Sequence, residues 1–446
     1  MKARKIAFVS EHASPLALLG SEDAGGQNVY VNEVSRHLAH LGHRVDIFSR
    51  RDCRDVENVV EWAPNVRVIN LEAGPPTHLC RDGLWPLMPE FRDSMLRYCR
   101  QQRDRYDVVH GHFWMSGWVA TQLRHALQTP AVQTFHATGV TKRRHQGEND
   151  TSPADRIAIE RQIVHLCDRL IAQCPAEERE LICDYGADPR RVTLLPAGVN
   201  PQRFRPVDTR QARHALGLSI DVPLIGYVGR VLPRKDIRNI VRALAVLRDW
   251  GVQAKLLIVG GETEEPDPGN TPEIGVLRDL ARDLRVLDRV VFTGKRQQDL
   301  LWLYYGASDV MVTTPWYEPF GLTPLEAMAC GRPVIGSDVG GISYTIDDGV
   351  SGHLIPPRDP TALAERLRAV IQNPDLRRRM GRAGRRRVER EFTWTMTAIR
   401  LARLYEMVLE EPAAVDSEHE KSRHAISRQT FRGRLAHIRE GATFWS

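Results

Sequence analysis

Two doubly wound α/β domains facing each other across a cleft are the architecture this sequence predicts, and three observations carry it. Short apolar segments of strand length alternate with amphipathic segments of helix length, the pattern of parallel sheets covered by helices on both faces. Glycine pairs recur where strands turn into helices, at Gly25-Gly26, Gly260-Gly261 and Gly340-Gly341. The alternation also restarts after the proline-containing stretch Phe204-Arg205-Pro206, which reads as a linker. The expected division is a domain over 1–203, a second over 204–393, a helix over 394–412 and a charged tail over 413–446.

With 446 residues the chain has room for two such domains and their cores. Its 42% hydrophobic and 26% charged residues are ordinary for a globular protein and exclude disordered and collagen-like classes. A net charge of +6, from 62 basic and 56 acidic side chains, favours acidic ligands without marking a nucleic-acid binder. The apolar start is too short for a signal peptide, and no run approaches the roughly 20 residues of a membrane helix. Seven cysteines without a C-x-x-C pair read as reduced thiols in a cytoplasmic protein.

In chain order, residues 5–10 form the first strand, and a loop over 11–28 ends in DAGGQN. A helix marked by Val31, Val34, Leu38 and Leu41 follows and stops at Gly42, before a second strand over 45–48. For Gly25 and Gly26, a flexible turn and a close approach to a ligand are both open readings. Residues 50–104 are expected to be an irregular insertion holding LWPLMPEF and a helix through Arg100. The strand over 107–112 carries His110 and His112, which are expected to point in opposite directions and so not to share a metal. The strand over 131–135 puts His136 at its C-terminal end, where doubly wound sheets bind ligands; a structural histidine is the competing reading. Residues 141–145, TKRRH, are expected to be a basic loop. It is either solvated charge or a phosphate cradle built from Lys142, Arg143 and Arg144, with Arg156 and Arg161 adding to it. Strands over 170–173 and 192–195 end this half.

The second half opens with a strand over 223–229, then GRVLPRKD, which places Arg230 and Lys235 just beyond a strand end. Helices over 237–248, 273–284 and 298–305 alternate with strands over 255–259, 290–292 and 310–312. Next comes PWYEPFGLTPLEAMACGRPVIGSDVGG, residues 315–341, with two carboxylates, Glu318 and Glu326. Thr323 is expected to cap a helix that has Pro324 at its first position, so that free N–H groups and a positive dipole end form an anion site. Thr323 and Glu326 also fit a capping box, and Glu318 has a solvated turn as its plain alternative. Helices over 361–371, 375–391 and 394–409 follow. The arginine-rich second of these is either a solvated face or a surface for anionic lipid.

Glu318 and Glu326, with Phe320, Gly321 and Leu322 between them, resemble the E-x7-E signature of retaining glycosyltransferases of family 4, which have the GT-B fold. DAGGQNVY and LWPLMPEF resemble the branch of sucrose-phosphate synthase and D-inositol-3-phosphate glycosyltransferase, and the likeness spans roughly residues 4–410. The resemblance implies transfer of a hexosyl group from a nucleotide sugar, UDP-glucose first, to a phosphorylated sugar or polyol such as fructose 6-phosphate. The departing phosphate would take the acceptor proton, so no protein nucleophile is needed. It also implies that Arg230 and Lys235 bind the diphosphate, with backbone at Leu322 and Thr323. Glu318, Phe320 and Gly321 would hold the donor sugar beside His136. Glu326 would hold the ribose, Arg296 would flank the base, and Gly25 and Gly26 would approach the phosphates. Gln27, Lys142, Arg143, Arg144, Arg156 and Arg161 would serve the acceptor, and the helix over 394–412 would cross back onto the first domain.

No D-x-D motif is present, so no obligatory metal or cofactor is expected, with Mg²⁺ kept as a stimulating ion. Asp236 stands where many relatives have glycine and is expected to cap the next helix rather than weaken phosphate attraction, and FHATGVTKRRH departs from the usual sucrose-phosphate synthase sequence, which leaves the acceptor open. Competing readings are a GDP-mannose enzyme, a lipid or polysaccharide acceptor, a nucleotide-sugar epimerase and a non-catalytic nucleotide-sugar-binding protein. A glycosidase fits less well, because both acids lie on one strand-turn-helix element. No nucleic-acid partner is expected, and the oligomeric state is left open.

Overall fold

The computed structural model describes residues 2–16, 25–101 and 105–410; the expected charged tail over 413–446 and the first residues of DAGGQN lie outside them. Residues 1–405 form one compact unit and residues 406–446 a second, of which only a helix end is described.

The chain builds β1 (Lys5–Val9), α1 (Gly26–His40), β2 (Arg44–Arg50), β3 (Val59–Ala63), β4 (Val66–Leu71), α2 (Met88–Gln101) and β5 (Val108–His112). It continues through α3 (Trp114–Leu127), β6 (Ala131–Thr134), α4 (Gly139–Gln146), α5 (Arg156–Leu166), β7 (Arg169–Ala172), α6 (Pro175–Cys183) and β8 (Val192–Leu194). These strands form one sheet in the order β3-β4-β2-β1-β5-β6-β7-β8, parallel except for the β3–β4 pair. The core lies under α2, α3 and α5, around Phe48, Phe91, Trp114 and Phe135.

Beyond the linker come α7 (Thr209–Ala215), β9 (Leu224–Val228), α8 (Ile237–Asp249), β10 (Lys255–Val259), α9 (Pro272–Asp283), β11 (Val290–Gly294) and α10 (Leu301–Ala307). Then follow β12 (Val310–Thr313), α11 (Leu322–Ala329), β13 (Val334–Ser337), α12 (Ile342–Thr345), β14 (Gly352–Ile355), α13 (Pro360–Gln372), α14 (Pro374–Glu391) and α15 (Trp394–Glu410). The second sheet is parallel, in the order β11-β10-β9-β12-β13-β14, with its own core around Ile240, Leu244, Leu256 and Leu367. Each sheet reverses its winding once, between β1 and β5 and between β9 and β12. Such reversals leave a crevice at the carboxyl ends of the strands, where ligands bind in open α/β sheets.

The stretch before the linker is tied to the last helix and the residue before it. Val199 bridges to Thr393, and Thr397 Oγ1 donates to the Pro196 carbonyl at 3.0 Å. Farther along α15, Tyr405 Oη lies 2.7 Å from His110 Nδ1, so this helix packs on the first sheet. No helix among the described residues is long and apolar enough to cross a membrane.

Three expectations are corrected here. Residues 50–104 are not irregular: they contain the β3–β4 hairpin, whose outer strand is half exposed and therefore lacks a continuous apolar run, turned by Asn65 at φ 62°. The basic segment 141–145 is not a loop but lies within α4, one of the most polar helices here, with only Gly139 buried. His110 and His112 do not point apart: residues two apart on a strand share a face, and their rings lie 4.2 Å apart. No group of three His, Cys, Asp or Glu side chains suited to a metal forms among the described residues.

Candidate active site

The turns after β9 and β12 meet at the second reversal. After β12 the chain runs through Trp316 to Phe320 into α11, whose cap is Gly321 at φ 84°, a conformation suited to glycine. Thr323 is therefore inside the helix, not its cap, and the capping box does not form. Glu326 instead accepts a 2.6 Å hydrogen bond from Tyr305 Oη, with the carboxyl pushed up to about 7 by burial.

Gly340 and Gly341 close over this turn. A Cβ on Gly340 would stand 2.1 Å from the Glu318 carbonyl oxygen, and one on Gly341 would stand 2.2 Å from that of Phe320. Gly341 N donates to the Glu318 carbonyl at 3.0 Å. Only a backbone bare of side chains fits there, and it fixes the loop that carries Glu318.

Glu318 pairs with Lys235: Nζ donates to Oε2, and the two side chains are 17% and 16% exposed. Burial holds Lys235 down at about 8, in spite of the carboxylate beside it. Burial pushes the Glu318 carboxyl up, but Lys235 and Arg234 overcome this and hold it below the ordinary range. Arg230 is depressed by burial, then by Arg234, with Arg81 contributing. Cationic groups thus converge on one carboxylate at the N-terminus of α11, whose first N–H groups carry partial positive charge. Such a surface suits an anion.

The first sheet supplies the opposite wall. A Cβ on Gly26 would lie 3.8 Å from Leu322 Cδ1, so the start of α1 faces the start of α11, and space beside Gly25 is open. Gln27 Nε2 donates to Ser10 Oγ at 3.3 Å and to the His112 carbonyl at 3.2 Å. His136 follows β6 at φ 59°, uncommon for a residue with a side chain, and burial lowers its ring to about 3, keeping it neutral. The walls touch where Gln146 Nε2 meets Tyr317 Oη at 2.6 Å, His145 stacks on Tyr317 at 5.0 Å, and Cys174 Sγ donates to the Pro319 carbonyl at 3.2 Å. A cavity of about 270 Å³ lies here, lined by Thr141, Glu177, Tyr317 and Glu318 among others.

The expected phosphate cradle does not converge as drawn. Successive residues of α4 point about 100° apart. Lys142 turns inward to Asp150 at 3.1 Å, Asp82 at 3.5 Å and Ser152 Oγ at 2.9 Å, Arg143 is exposed, and Arg144 pairs with Asp184 at 2.9 Å while also lining the cavity. Arg156, 2% exposed, is committed to Glu160 at 2.8 Å and to the Ala137 carbonyl at 2.7 Å, where it braces the segment after His136. Arg161 is exposed, beside the Asp184 carbonyl at 3.5 Å. Arg296 is held by Tyr304 Oη at 2.8 Å and the Glu264 carbonyl at 2.7 Å.

Two residues were missed. Arg234 has a buried Nη1 with no partner among the described residues, and Arg81 reaches over the Phe113 ring at 5.7 Å. Arg234 lies inside GRVLPRKD, and Arg81 stands three residues before LWPLMPEF, so proximity to those motifs was the available signal.

Two facing doubly wound sheets with an anion site at the reversal of the second define a GT-B glycosyltransferase. The family model "Glycosyltransferase Family 4" matches residues 24–203 and "Glycosyl transferases group 1" matches residues 208–387. The chain is 38% identical over 415 residues to a D-inositol 3-phosphate glycosyltransferase of Thermobispora bispora, covering 92% of this chain and 96% of that one. A relative of the same name from Nocardia farcinica is 36% identical over 442 residues, 97% of each chain. The solved structure of sucrose-phosphate synthase from Thermosynechococcus elongatus superposes with a TM-score of 0.83 at 36% identity, covering 91% of this chain and 99% of that one. The chain belongs to the group 1 glycosyltransferases and is an enzyme of that class.

Proposed function

We propose that this enzyme moves a hexosyl group from a nucleotide diphosphate sugar, UDP-glucose first, to a phosphorylated sugar or polyol, with retention of anomeric configuration. The observation that carries the reading is the Lys235–Glu318 pair set among Arg230, Arg234 and the N-terminus of α11. The leaving diphosphate would take the place of the carboxylate as partner for Lys235, freeing Glu318 for the sugar hydroxyls. Charge growing on the diphosphate is then met by fixed cations and amides, the kind of stabilisation worth roughly 100- to 1000-fold per donor removed. Mg²⁺ is at most a stimulating ion in this scheme. Glu326, with one oxygen held by Tyr305, keeps the other for a ribose hydroxyl.

For the acceptor, the relatives' printed name supports an inositol phosphate, and fructose 6-phosphate is kept from the sequence resemblance to sucrose-phosphate synthase. Arg144, which lines the cavity, and Arg81 and Lys142, which both pair with Asp82, are the cations we assign to the acceptor phosphate at the first-sheet wall. The seven free thiols support a cytoplasmic site of action.

The test is nucleotide release from UDP-, GDP- and ADP-sugars with fructose 6-phosphate, inositol phosphate or unphosphorylated sugars, with NMR of the product anomer. Release that requires a phosphorylated acceptor and gives the retained anomer supports the proposal. Release only with a neutral or lipid acceptor, an inverted product, or full activity in Glu318→Ala overturns it.

A further inference from the structure

His112 ends β5 directly beside Thr134 of β6, and its Nδ1 lies 3.1 Å from His136 Nε2. The rings are stacked, 5.4 Å apart and inclined by 27°. His110, two residues earlier, uses both ring nitrogens, toward Tyr405 Oη at 2.7 Å and Thr134 Oγ1 at 2.9 Å. His112 differs: its Nε2 is buried without a hydrogen-bond partner among the described residues, and its ring packs against those of Phe8 and Tyr30.

Burial lowers both His112 and His136, so the pair is neutral and shares one hydrogen bond in one of two ways. If His136 donated from Nε2, His112 would carry its proton on its own Nε2, a buried N–H with no acceptor. If His112 donates from Nδ1, only a lone pair is left bare at that nitrogen. Buried N–H groups without acceptors are the rarer and costlier orphan. The second arrangement also settles His136: its Nε2 is the acceptor, so its proton sits on Nδ1. That nitrogen has no partner among the described residues and is not sealed from solvent.

We infer that His112 is a positioning residue that locks His136 in the Nδ1–H tautomer, so that His136 meets the substrate as a hydrogen-bond donor and not as a base. A donor at this place holds an oxygen of the sugar or of the leaving group and cannot take the acceptor proton. The inference rests on the proposed site in giving His136 a substrate to meet, but the tautomer itself does not depend on turnover.

The test is nitrogen NMR of the full chain labelled with ¹⁵N-histidine, the His136 ring assigned from its loss in His136→Asn. The wild type is expected to carry the His136 proton on Nδ1. His112→Leu is expected to mix both tautomers and to lower kcat by about 10- to 100-fold, the range for removing the partner that orients a working histidine, with little change in donor KM. His112→Asn, whose amide nitrogen stands in for Nδ1, is expected to restore the tautomer and most of the rate. A wild-type proton on Nε2, or a His112→Leu enzyme with unchanged tautomer and kcat, overturns the inference. Full transfer in His136→Ala would instead sink the site reading and leave the tautomer standing.

Discussion

Lys235 gives the sharpest handle on the donor site. Its ammonium falls from an ordinary 10.5 to about 8, a cost of roughly 3 kcal/mol at 1.36 kcal/mol per pH unit, with burial as the main cause. A single proton leaving at about 8 leaves about nine-tenths of the enzyme charged at pH 7 and about one-tenth at pH 9. The kcat/KM for the nucleotide sugar, which reports the free enzyme, should therefore fall about tenfold between these pH values. The kcat profile should break at higher pH, because a bound diphosphate restores the charge. Lys235→Arg, with a guanidinium that stays protonated, should flatten the alkaline limb even if its overall rate is lower. The sign for stability is the opposite of that for activity. The folded pKa lies below the unfolded one, so the unfolded chain binds more protons between about 8 and 10.5, and Lys235 contributes stability that rises with pH across that window. Initial rates of nucleotide release at sub-saturating donor, from pH 6 to 10, give the profile. A wild-type limb that begins only above pH 10, or one that persists unchanged in Lys235→Arg, refutes the reasoning.

Other outcomes follow from the same geometry. Gly340→Ala should cost about 2 kcal/mol or more in urea denaturation, since the added carbon meets the Glu318 carbonyl at 2.1 Å in a backbone of φ 48°. Glu177, raised by burial to about 8 and with Oε1 lacking a partner among the described residues, contributes stability that is lost as pH rises from the ordinary carboxylate range through 8. Glu177→Gln should remove that loss in urea melts compared at pH 6 and pH 9. Asp236→Gly should gain up to about 1 kcal/mol by relieving φ 48°, and should lower donor KM by removing an acid next to Lys235; an unchanged melt and KM would discount both effects.

The alternation of strands and helices was readable because buried parallel strands are apolar throughout: β10 is found at 255–259 as expected. β3 and α4 escaped because much of each faces water, so neither carries the apolar signature that periodicity detects, whereas β4 is buried and its run VRVINL is apolar enough to have been read. Glu318 was legible from its turn, whereas its pairing with Lys235, 83 residues away, needed the second sheet to be folded. For Glu326 the local pattern was misleading: a Thr-Pro-Leu-Glu box competes with a Gly321 cap two residues earlier and a tyrosine from α10, and the latter two prevail. Asp236 shows the reverse case. Expected to cap the next helix, it does stand at the N-cap of α8 but makes no side-chain cap bond, and the left-handed backbone there explains why the residue is glycine or one of the few others that tolerate it.

The contacts of Tyr317 and Pro319 with α4 and the cap of α6 bear on a reaction the enzyme must avoid. The loop that carries Glu318 belongs to the second sheet but is also gripped from the first, so parting the two walls would break those contacts and leave the loop held from its own domain alone, by Gly341, Arg234 and Lys235. An open cleft, the state that admits water, would then be the state in which the sugar-holding acid is least constrained. On the proposed function, the same few hydrogen bonds that shut the site would discourage wasteful hydrolysis of the donor.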